Sequence, residues 1–499
     1  MHTTAFAALA LALTAGPLPP SQTPTTDTAE LDSYIEARLE QTNVPGAAWA
    51  VVTADGIEHQ AAWGEDGDGA RMTESTPFLW GSVAKPVTAT AVMTLVEDGR
   101  VDLDALARTY LPDFTLADPA HAERITVRHL LEQTSGIPEG TGVTDRFDPG
   151  SDPYGEALAD LAEAERFAEP GTDFEYASAN YLVLGALVES VAGMPYEEYL
   201  REAVLDPLGM DTAVADAAAA GSVPDGHTFV FGQPVAIDAP FDPTGPSYGY
   251  LGGSVKDLAA FAAASLPGGD GVVSAESVAL MQSPAAAMNE RIDYGLGWKI
   301  DGRNADLGTS TVWHTGGAPG YSAAIVMLPE LGRAVVIAQN AYGHFQDGAL
   351  VGTALGAARV AAGGAGEELE ADWVYPAALA AVGALLVLGV SLVIGTVRRL
   401  RAGVAAAGRR WRVWAAMAGW TVGGAAVAYG AGVAVPGMAP SRTLYVLMAP
   451  DLAWGLYGVA LVAVVHAVVS VGHGALRLRL RRIANRPGSS RGRITRVRA

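Results

Sequence analysis

Two kinds of hydrophobic pattern divide the chain. Up to about residue 365, apolar residues recur at helical or alternating spacing between Gly and Pro punctuation, whereas beyond residue 373 they run almost unbroken. Leu31, Tyr34, Ile35 and Leu39 share one face of a helix predicted over residues 31–42. Residues 48–52 and 59–63 are predicted as paired strands around the turn Ala54, Asp55, Gly56. Later, residues 310–314, 322–328 and 334–338 have the composition of strands, residues 346–362 have a helical pattern, and helical patterns dominate the middle. Strands from both ends of a segment joining one sheet, with a helical region inserted between them, predict an α/β (α+β) domain of two lobes over residues 28–365, with a cleft between the lobes. No internal repeat is present, and no GxGxxG or GxxxxGK[ST] follows a strand, which argues against a Rossmann or P-loop nucleotide site.

The C-terminal pattern is of another kind. Residues 374–397 and 452–475 are uncharged stretches of the length that crosses ~30 Å of hydrocarbon. Residues 413–435 are also uncharged but rich in Gly and Ala, and we expect them to form a third transmembrane helix, with a hairpin packed on its neighbours as the alternative. An all-α region of three spans is therefore expected. His466 and His473 lie on one side of the third span with no acidic partner nearby, as packing or interfacial residues would. At the other end, residues 5–15 are a short apolar run followed by Gly16 and a Pro-rich stretch, so residues 1–20 are expected to be an export signal although only His2 stands in for the usual basic start.

Charge sharpens this division. From residue 374 onward there are 16 arginines, no lysine and one acid, Asp451, whereas residues 1–373 hold 16 basic and 53 acidic residues. Arg398, Arg399, Arg401, Arg409, Arg410 and Arg412 follow the first span, and nine more arginines lie in the tail, residues 476–499. Both segments should face the cytoplasm, which places the acidic part outside, where an export signal would deliver it. The expected location is thus the cell membrane, multi-pass, with an extracytoplasmic domain and a basic cytoplasmic tail. The arginine tail starts at the end of a span, where topology control and anionic lipid account for it, so no nucleic-acid partner is expected. Protein partners are left open, and three spans, where one would tether, hint at a partner or a lipid-like substrate. With half of the residues apolar and 17% charged, a disordered chain is excluded, and the absence of cysteine rules out disulfides, thiolate metal sites and cysteine nucleophiles.

The sharpest chemical feature is Trp80-Gly81-Ser82-Val83-Ala84-Lys85 ahead of an apolar helical run. Ser82 would begin a helix with Lys85 one turn on, on the same face. A serine hydroxyl becomes a nucleophile when a base removes its proton, and an amine whose pKa is lowered by burial can do so. The Ser82 N–H, free at the helix start, could donate to an oxyanion. Taken alone, a serine and a lysine at this spacing are commonly an N-cap and a surface side chain. Two further segments change that: residues 174–185, containing Tyr176, Ser178 and Asn180, and Trp313-His314-Thr315-Gly316-Gly317 on a predicted strand.

With these the chain resembles the serine beta-lactamase-related family, which includes class C beta-lactamases, D-alanyl-D-alanine carboxypeptidases and related esterases. The family marks are SxxK, a YxN element and a K/H-T-G strand. They are matched by Ser82 and Lys85, by Tyr176, and by His314, Thr315 and Gly316; residues 125–138, 250–262 and 294–298 also look like the family. The resemblance covers residues 28–365 and implies a beta-lactamase/transpeptidase-like antiparallel sheet flanked by helices, with a helical lobe. It implies that Ser82 attacks a carbonyl, that Lys85 and Tyr176 shuttle its proton as a coupled pair, and that Ser82 and Gly317 N–H groups form the oxyanion hole. It further implies substrate contacts from Ser178, Thr315 and Gly316, and a His314 that orients Tyr176 or meets a substrate carboxylate. No cofactor or metal is implied, and no HExxH or compact His/Asp cluster suggests one. The departure is Ser178, where the family usually carries Asn; a hydroxyl is shorter and makes fewer hydrogen bonds, which weakens amide recognition more than nucleophilic attack.

The expectation is therefore a membrane-anchored, extracytoplasmic serine hydrolase acting through an acyl-enzyme on small esters or peptide-like amides. The alternatives are a D-alanyl peptidase or beta-lactamase, and a non-catalytic membrane sensor that binds cell-wall fragments.

Overall fold

A computed structural model describes residues 27–368, 372–404, 409–438 and 441–484. The expected export signal at 1–20 and tail residues 485–499 lie outside the described residues.

Helix α1 (Thr28–Thr42) starts on Asp27, whose carboxylate accepts the N–H groups of Ala29 and Glu30, and ends at Asn43 in the left-handed region. It leads into the hairpin of β1 (Gly46–Thr53) and β2 (Gly56–Gly64). The chain then enters the helical lobe through α2 (Ala84–Glu97) and α3 (Ser178–Ala192), followed by a small hairpin of β3 (Gly226–Val230) and β4 (Gln233–Ile237) and by α4 (Val255–Ser265). It returns to the sheet with β5 (Ala286–Ala287), β6 (Ile292–Tyr294), β7 (Lys299–Asp301), β8 (Thr311–Ala318), β9 (Tyr321–Leu328) and β10 (Arg333–Gln339), and closes with α5 (Asp347–Ala361). The eight strands run antiparallel in the order β2-β1-β10-β9-β8-β7-β6-β5, so that the first and last strands of the domain pair with each other.

Alternation along the strands builds two cores. Ala47, Trp49 and Val51 of β1, with Val335 and Ile337 of β10, pack under Leu31, Ile35 and Leu39 of α1 and Leu350 and Ala354 of α5. Their neighbours Ala48, Ala50 and Val52, with Val336 and Ala338, face the helical lobe. Covering both faces is why these strands read as nearly continuous apolar runs rather than clean alternation. The fold is thus mixed α/β, a large antiparallel sheet flanked by helices, as the sequence predicts.

Beyond residue 372 lie α6 (Val374–Arg401), α7 (Arg410–Tyr429), the short α8 (Arg442–Met448) and α9 (Pro450–Ala484). Among the described residues, α6 and α9 are the two helices long and apolar enough to cross a membrane. The expected middle span falls on α7 and the π turn that follows it (Gly430–Ala434). Its small residues serve close packing: a Cβ at Gly424 would stand 2.8 Å from the Cβ of Ala467 on α9. His466 packs edge-on against Trp420 and meets the Ser470 hydroxyl at 3.2 Å. Val387, Leu388, Val422, Leu461 and Val468 are all more than half exposed, an apolar exterior that lipid would cover.

Candidate active site

The Ser82 turn is wedged between two strands. Trp80 N–H donates to Leu251 O at 2.8 Å and its indole to Gly253 O at 3.0 Å, fixing the approach to the 3-10 turn Gly81–Val83 that precedes α2. On the other side the end of β8 presses against the same turn. Gly81 sits at φ 56, and a Cβ there would lie 2.4 Å from Gly317 N; a Cβ on Gly316 would lie 2.1 Å from Trp80 O and 2.3 Å from Ser82 N. Only glycines permit this approach, which sets the backbone of Gly316 and Gly317 against the Ser82 turn, and both Ser82 and Gly317 line the same cavity.

Lys85 is fully buried in the first turn of α2. Its Nζ lies 2.9 Å from Ser82 Oγ, 2.8 Å from Tyr248 O and 3.3 Å from Ser178 Oγ. Burial drives its pKa down to about 7; Glu139 and Asp145 pull it back up, and the positive charge of Lys299 lowers it further. Ser178 therefore reaches the lysine despite being shorter than the usual Asn, and its N–H donates to Glu139 Oε2 at 2.8 Å. Burial raises the pKa of the Glu139 carboxyl, against the lowering effects of that N–H and of Lys85.

Tyr176 lies across the amine, its ring centroid 4.9 Å from Lys85 Nζ. Burial, and next the neighbouring Tyr294, hold its phenol well above the ordinary value, while a hydrogen bond with Ser82 works the other way. The hydroxyl is neutral in the resting site and Lys85 is the group poised near neutrality. The segment bearing Tyr176 is held from behind. Gln133 Oε1 accepts from Ala177 N–H at 3.1 Å and from the Asn180 amide at 2.5 Å, and Asn180 Oδ1 accepts from Ser135 at 2.5 Å. Asn180 is fully buried and positions this segment rather than touching the cavity.

His314 is fully buried. Its ring tilts over Tyr176 with centroids 6.2 Å apart, Nδ1 meets Thr315 O at 2.8 Å, and Nε2 faces the Tyr294 hydroxyl at 3.4 Å. Burial, then Lys299, pushes its pKa well below the usual value, so it is a neutral packing partner of Tyr176. A cavity of about 90 Å³ opens in front of Ser82, with Ser178, Gly317, Glu139 and Asp145 in its wall; Thr315 and Gly316 precede Gly317 on β8.

Sequence reasoning missed Glu139, Tyr248 and Lys299. Lys299 on β7 is one of three lysines in the chain, and its ammonium lies 4.7 Å from the Trp313 ring centroid and 5.7 Å from that of Tyr176. Burial lowers its pKa to about 8, against the opposing charge of Asp347. The scarcity of lysine in so acidic a domain was the available signal.

The Beta-lactamase family pattern matches residues 31–359. Over 332 residues the chain is 30% identical to Penicillin-binding protein 4 of Amycolatopsis lactamdurans, covering 63% of this chain and 85% of that protein. It is 24% identical to Protein flp of Staphylococcus aureus (strain MW2) over 321 residues, 62% of each. Among solved structures, the octameric penicillin-binding protein homologue from Pyrococcus abyssi is similar at TM-score 0.59 and 26% identity, covering 68% of this chain and 78% of that one. EstCE1, a hydrolase with promiscuous acyltransferase activity, shares the fold at TM-score 0.55 and 22% identity over 63% of this chain and 94% of its own. With the family pattern spanning well over half its length and the Ser82, Lys85 and Tyr176 constellation assembled in one cleft, this chain belongs to the beta-lactamase family.

Proposed function

We propose that the chain is a membrane-anchored, extracytoplasmic serine hydrolase that acts through an acyl-enzyme on small esters or peptide-like amides. The observation that carries this reading is the fully buried Lys85 amine, 2.9 Å from Ser82 Oγ with its pKa lowered to about 7. An unprotonated amine has two N–H donors and one lone pair. Donation to Tyr248 O and Ser178 Oγ occupies the donors and leaves the lone pair for the Ser82 proton. Ser82 Oγ then attacks the carbonyl carbon, and the developing oxyanion lies between the Ser82 and Gly317 N–H groups. The neutral phenol of Tyr176 gives its proton to the leaving group as the bond breaks and recovers one from the lysine. Water cleaves the acyl-enzyme by the same relay in reverse. Anchoring is supported by α6 and α9, and an outside location by the acidic balance of residues 1–373 against the arginines beyond.

A second reading, a D-alanyl peptidase or beta-lactamase, is favoured by the 30% identity to a penicillin-binding protein. Intact-mass analysis of the full-length protein in detergent, wild type beside Ser82→Ala, distinguishes them. A fluorophosphonate adduct on the wild type alone, with fast p-nitrophenyl ester turnover and no penicillin adduct, is the expected result. A lasting penicillin adduct supports the second reading, and no adduct from either reagent removes Ser82 as the nucleophile.

A further inference from the structure

The cavity in front of Ser82 is not built by the hydrolase domain alone. Leu444 and Met448, both on α8, complete its wall. They are four residues apart and so lie on one helical face, and Leu444 is buried. Helix α8 is fastened to the catalytic domain at its C-terminal end, where carbonyls have no partner within the helix: Thr228 Oγ1 of β3 donates to Leu447 O at 2.6 Å and His344 N–H donates to Met448 O at 3.0 Å. One step on, Phe231 N–H donates to Asp451 Oδ2 at 2.7 Å, and the Tyr375 hydroxyl of α6 bonds to the same carboxylate while accepting from Gly232 N–H at 3.2 Å. Phe345 packs at a tilt against Tyr375 with centroids 5.5 Å apart. The catalytic domain is thus clamped to the first turns of the two helices that are long and apolar enough to cross a membrane.

Three large aromatic side chains stand exposed within a few residues of this clamp: Phe231 at 70%, Trp373 at 74% and Trp454 at 65%. Exposed aromatics at the ends of apolar helices mark the level of the lipid–water interface. Met448 is two residues from Pro450, the first residue of α9, so the apolar side of the cavity lies at that same level. The rest of the wall includes the carboxyl-bearing Glu139 and Asp145, and no described lining residue is basic. The wall of the cavity thus combines carboxyl-bearing and aliphatic residues around the nucleophile, and among its described lining residues none supplies a counter-ion to a phosphate or to a peptide carboxylate.

On the acyl-enzyme reading above, we propose that the substrate is an uncharged amphiphilic ester drawn from the outer face of the bilayer, its acyl chain laid along Leu444 and Met448 and its alcohol portion toward Glu139 and Asp145. Ser82 Oγ forms the new ester bond to the acyl carbon, and the bond from that carbon to the alcohol oxygen breaks. The Ser82 proton leaves on the alcohol, and water then releases the fatty acid and restores the serine.

The test uses full-length protein in phosphatidylcholine nanodiscs. Fluorophosphonate labelling of Ser82 first establishes that the nucleophile is active; without it the acyl-enzyme reading itself fails. In labelling-competent protein, kcat/KM for p-nitrophenyl octanoate should exceed that for the acetate at least tenfold, and fatty acid should be released from dioleoylglycerol carried in the same disc. Leu444→Ala and Met448→Ala should each lower the octanoate-to-acetate ratio at least fivefold, and Leu444→Met should recover most of it. A ratio that is flat with chain length, or unchanged in both alanine variants, or an absence of release from dioleoylglycerol, overturns the proposal while leaving the hydrolase assignment intact.

Discussion

On the reading that Lys85 is the base for Ser82, its lowered pKa makes acylation a titration of one buried amine. An ordinary lysine at 10.5 is neutral in only about one molecule in 3,000 at pH 7, whereas at about 7 it is neutral in roughly half, a gain on the order of 1,500-fold in free base. Below the midpoint the base is progressively protonated, so the rate of fluorophosphonate labelling at Ser82 should fall about tenfold per pH unit, and above it the rate should level off. Two neighbours set the midpoint in opposite directions. Glu139 raises the lysine pKa, so Glu139→Gln should move the profile to lower pH; Lys299 lowers it, so Lys299→Met should move the profile to higher pH. The assay is stopped-flow labelling of the full-length enzyme between pH 5 and 9, scored by the midpoint rather than by the plateau, because plateau rates also register packing changes. A midpoint near that of an ordinary lysine, or one that moves the same way in both variants, would refute the reasoning.

The same buried amine costs stability, because the unfolded chain binds a proton between about pH 7 and 10.5 that the folded chain does not; stability rises with pH across that window, and below it the full penalty of ~5 kcal/mol stands. Lys85→Met should therefore raise the apparent melting temperature at pH 6 more than at pH 10 while abolishing labelling, as differential scanning fluorimetry in detergent would record. Gly316→Ala places a methyl 2.3 Å from Ser82 N and should cut ester kcat/KM by about 10²-fold or more, comparable to losing an oxyanion donor, with KM less affected. Ser178→Asn places an amide beside Lys85, and a new hydrogen bond worth ~0.5–1.5 kcal/mol should quicken acylation by penicillin roughly 2- to 13-fold relative to p-nitrophenyl acetate, followed by intact mass.

The elements legible in the sequence were those with length and regular spacing. The predicted helix at 31–42, the strand pair around Gly56 and the three late strands coincide with α1, β1, β2, β8, β9 and β10, because each buries a periodic face against the sheet or its covering helices. Strands β5, β6 and β7 are two or three residues each, too short for any period to register, and are held by successive pairing outward from β8, β7 on β8, β6 on β7 and β5 on β6. The grouping of Ser82, Lys85 and Tyr176 was legible because local spacing and order carry it. Glu139 and Lys299 were not, since a carboxylate in an acidic domain and a single lysine after Trp298 have no local signature; what defines them is desolvation beside Lys85 and Trp313. Leu444 and Met448 read as two more apolar residues beside a membrane segment, and only tertiary contact gives them a place at the cavity.

That contact also sets an order of assembly. A ribosome delivers the nucleophile, the lysine, the tyrosine and the glycine strand first, and more than a hundred residues later it delivers the helix that walls the cavity, after α6 and α7 have been made. Until then the cavity lacks Leu444 and Met448 in its wall. The finished cavity arises when α9 is seated and Asp451 captures Phe231 and Tyr375. On the proposed reading, a chain cut before residue 374 for the convenience of a soluble preparation would keep Ser82, Lys85 and Tyr176 and lose Leu444 and Met448 from the cavity wall, so acyl-chain preference should be measured on the full-length protein.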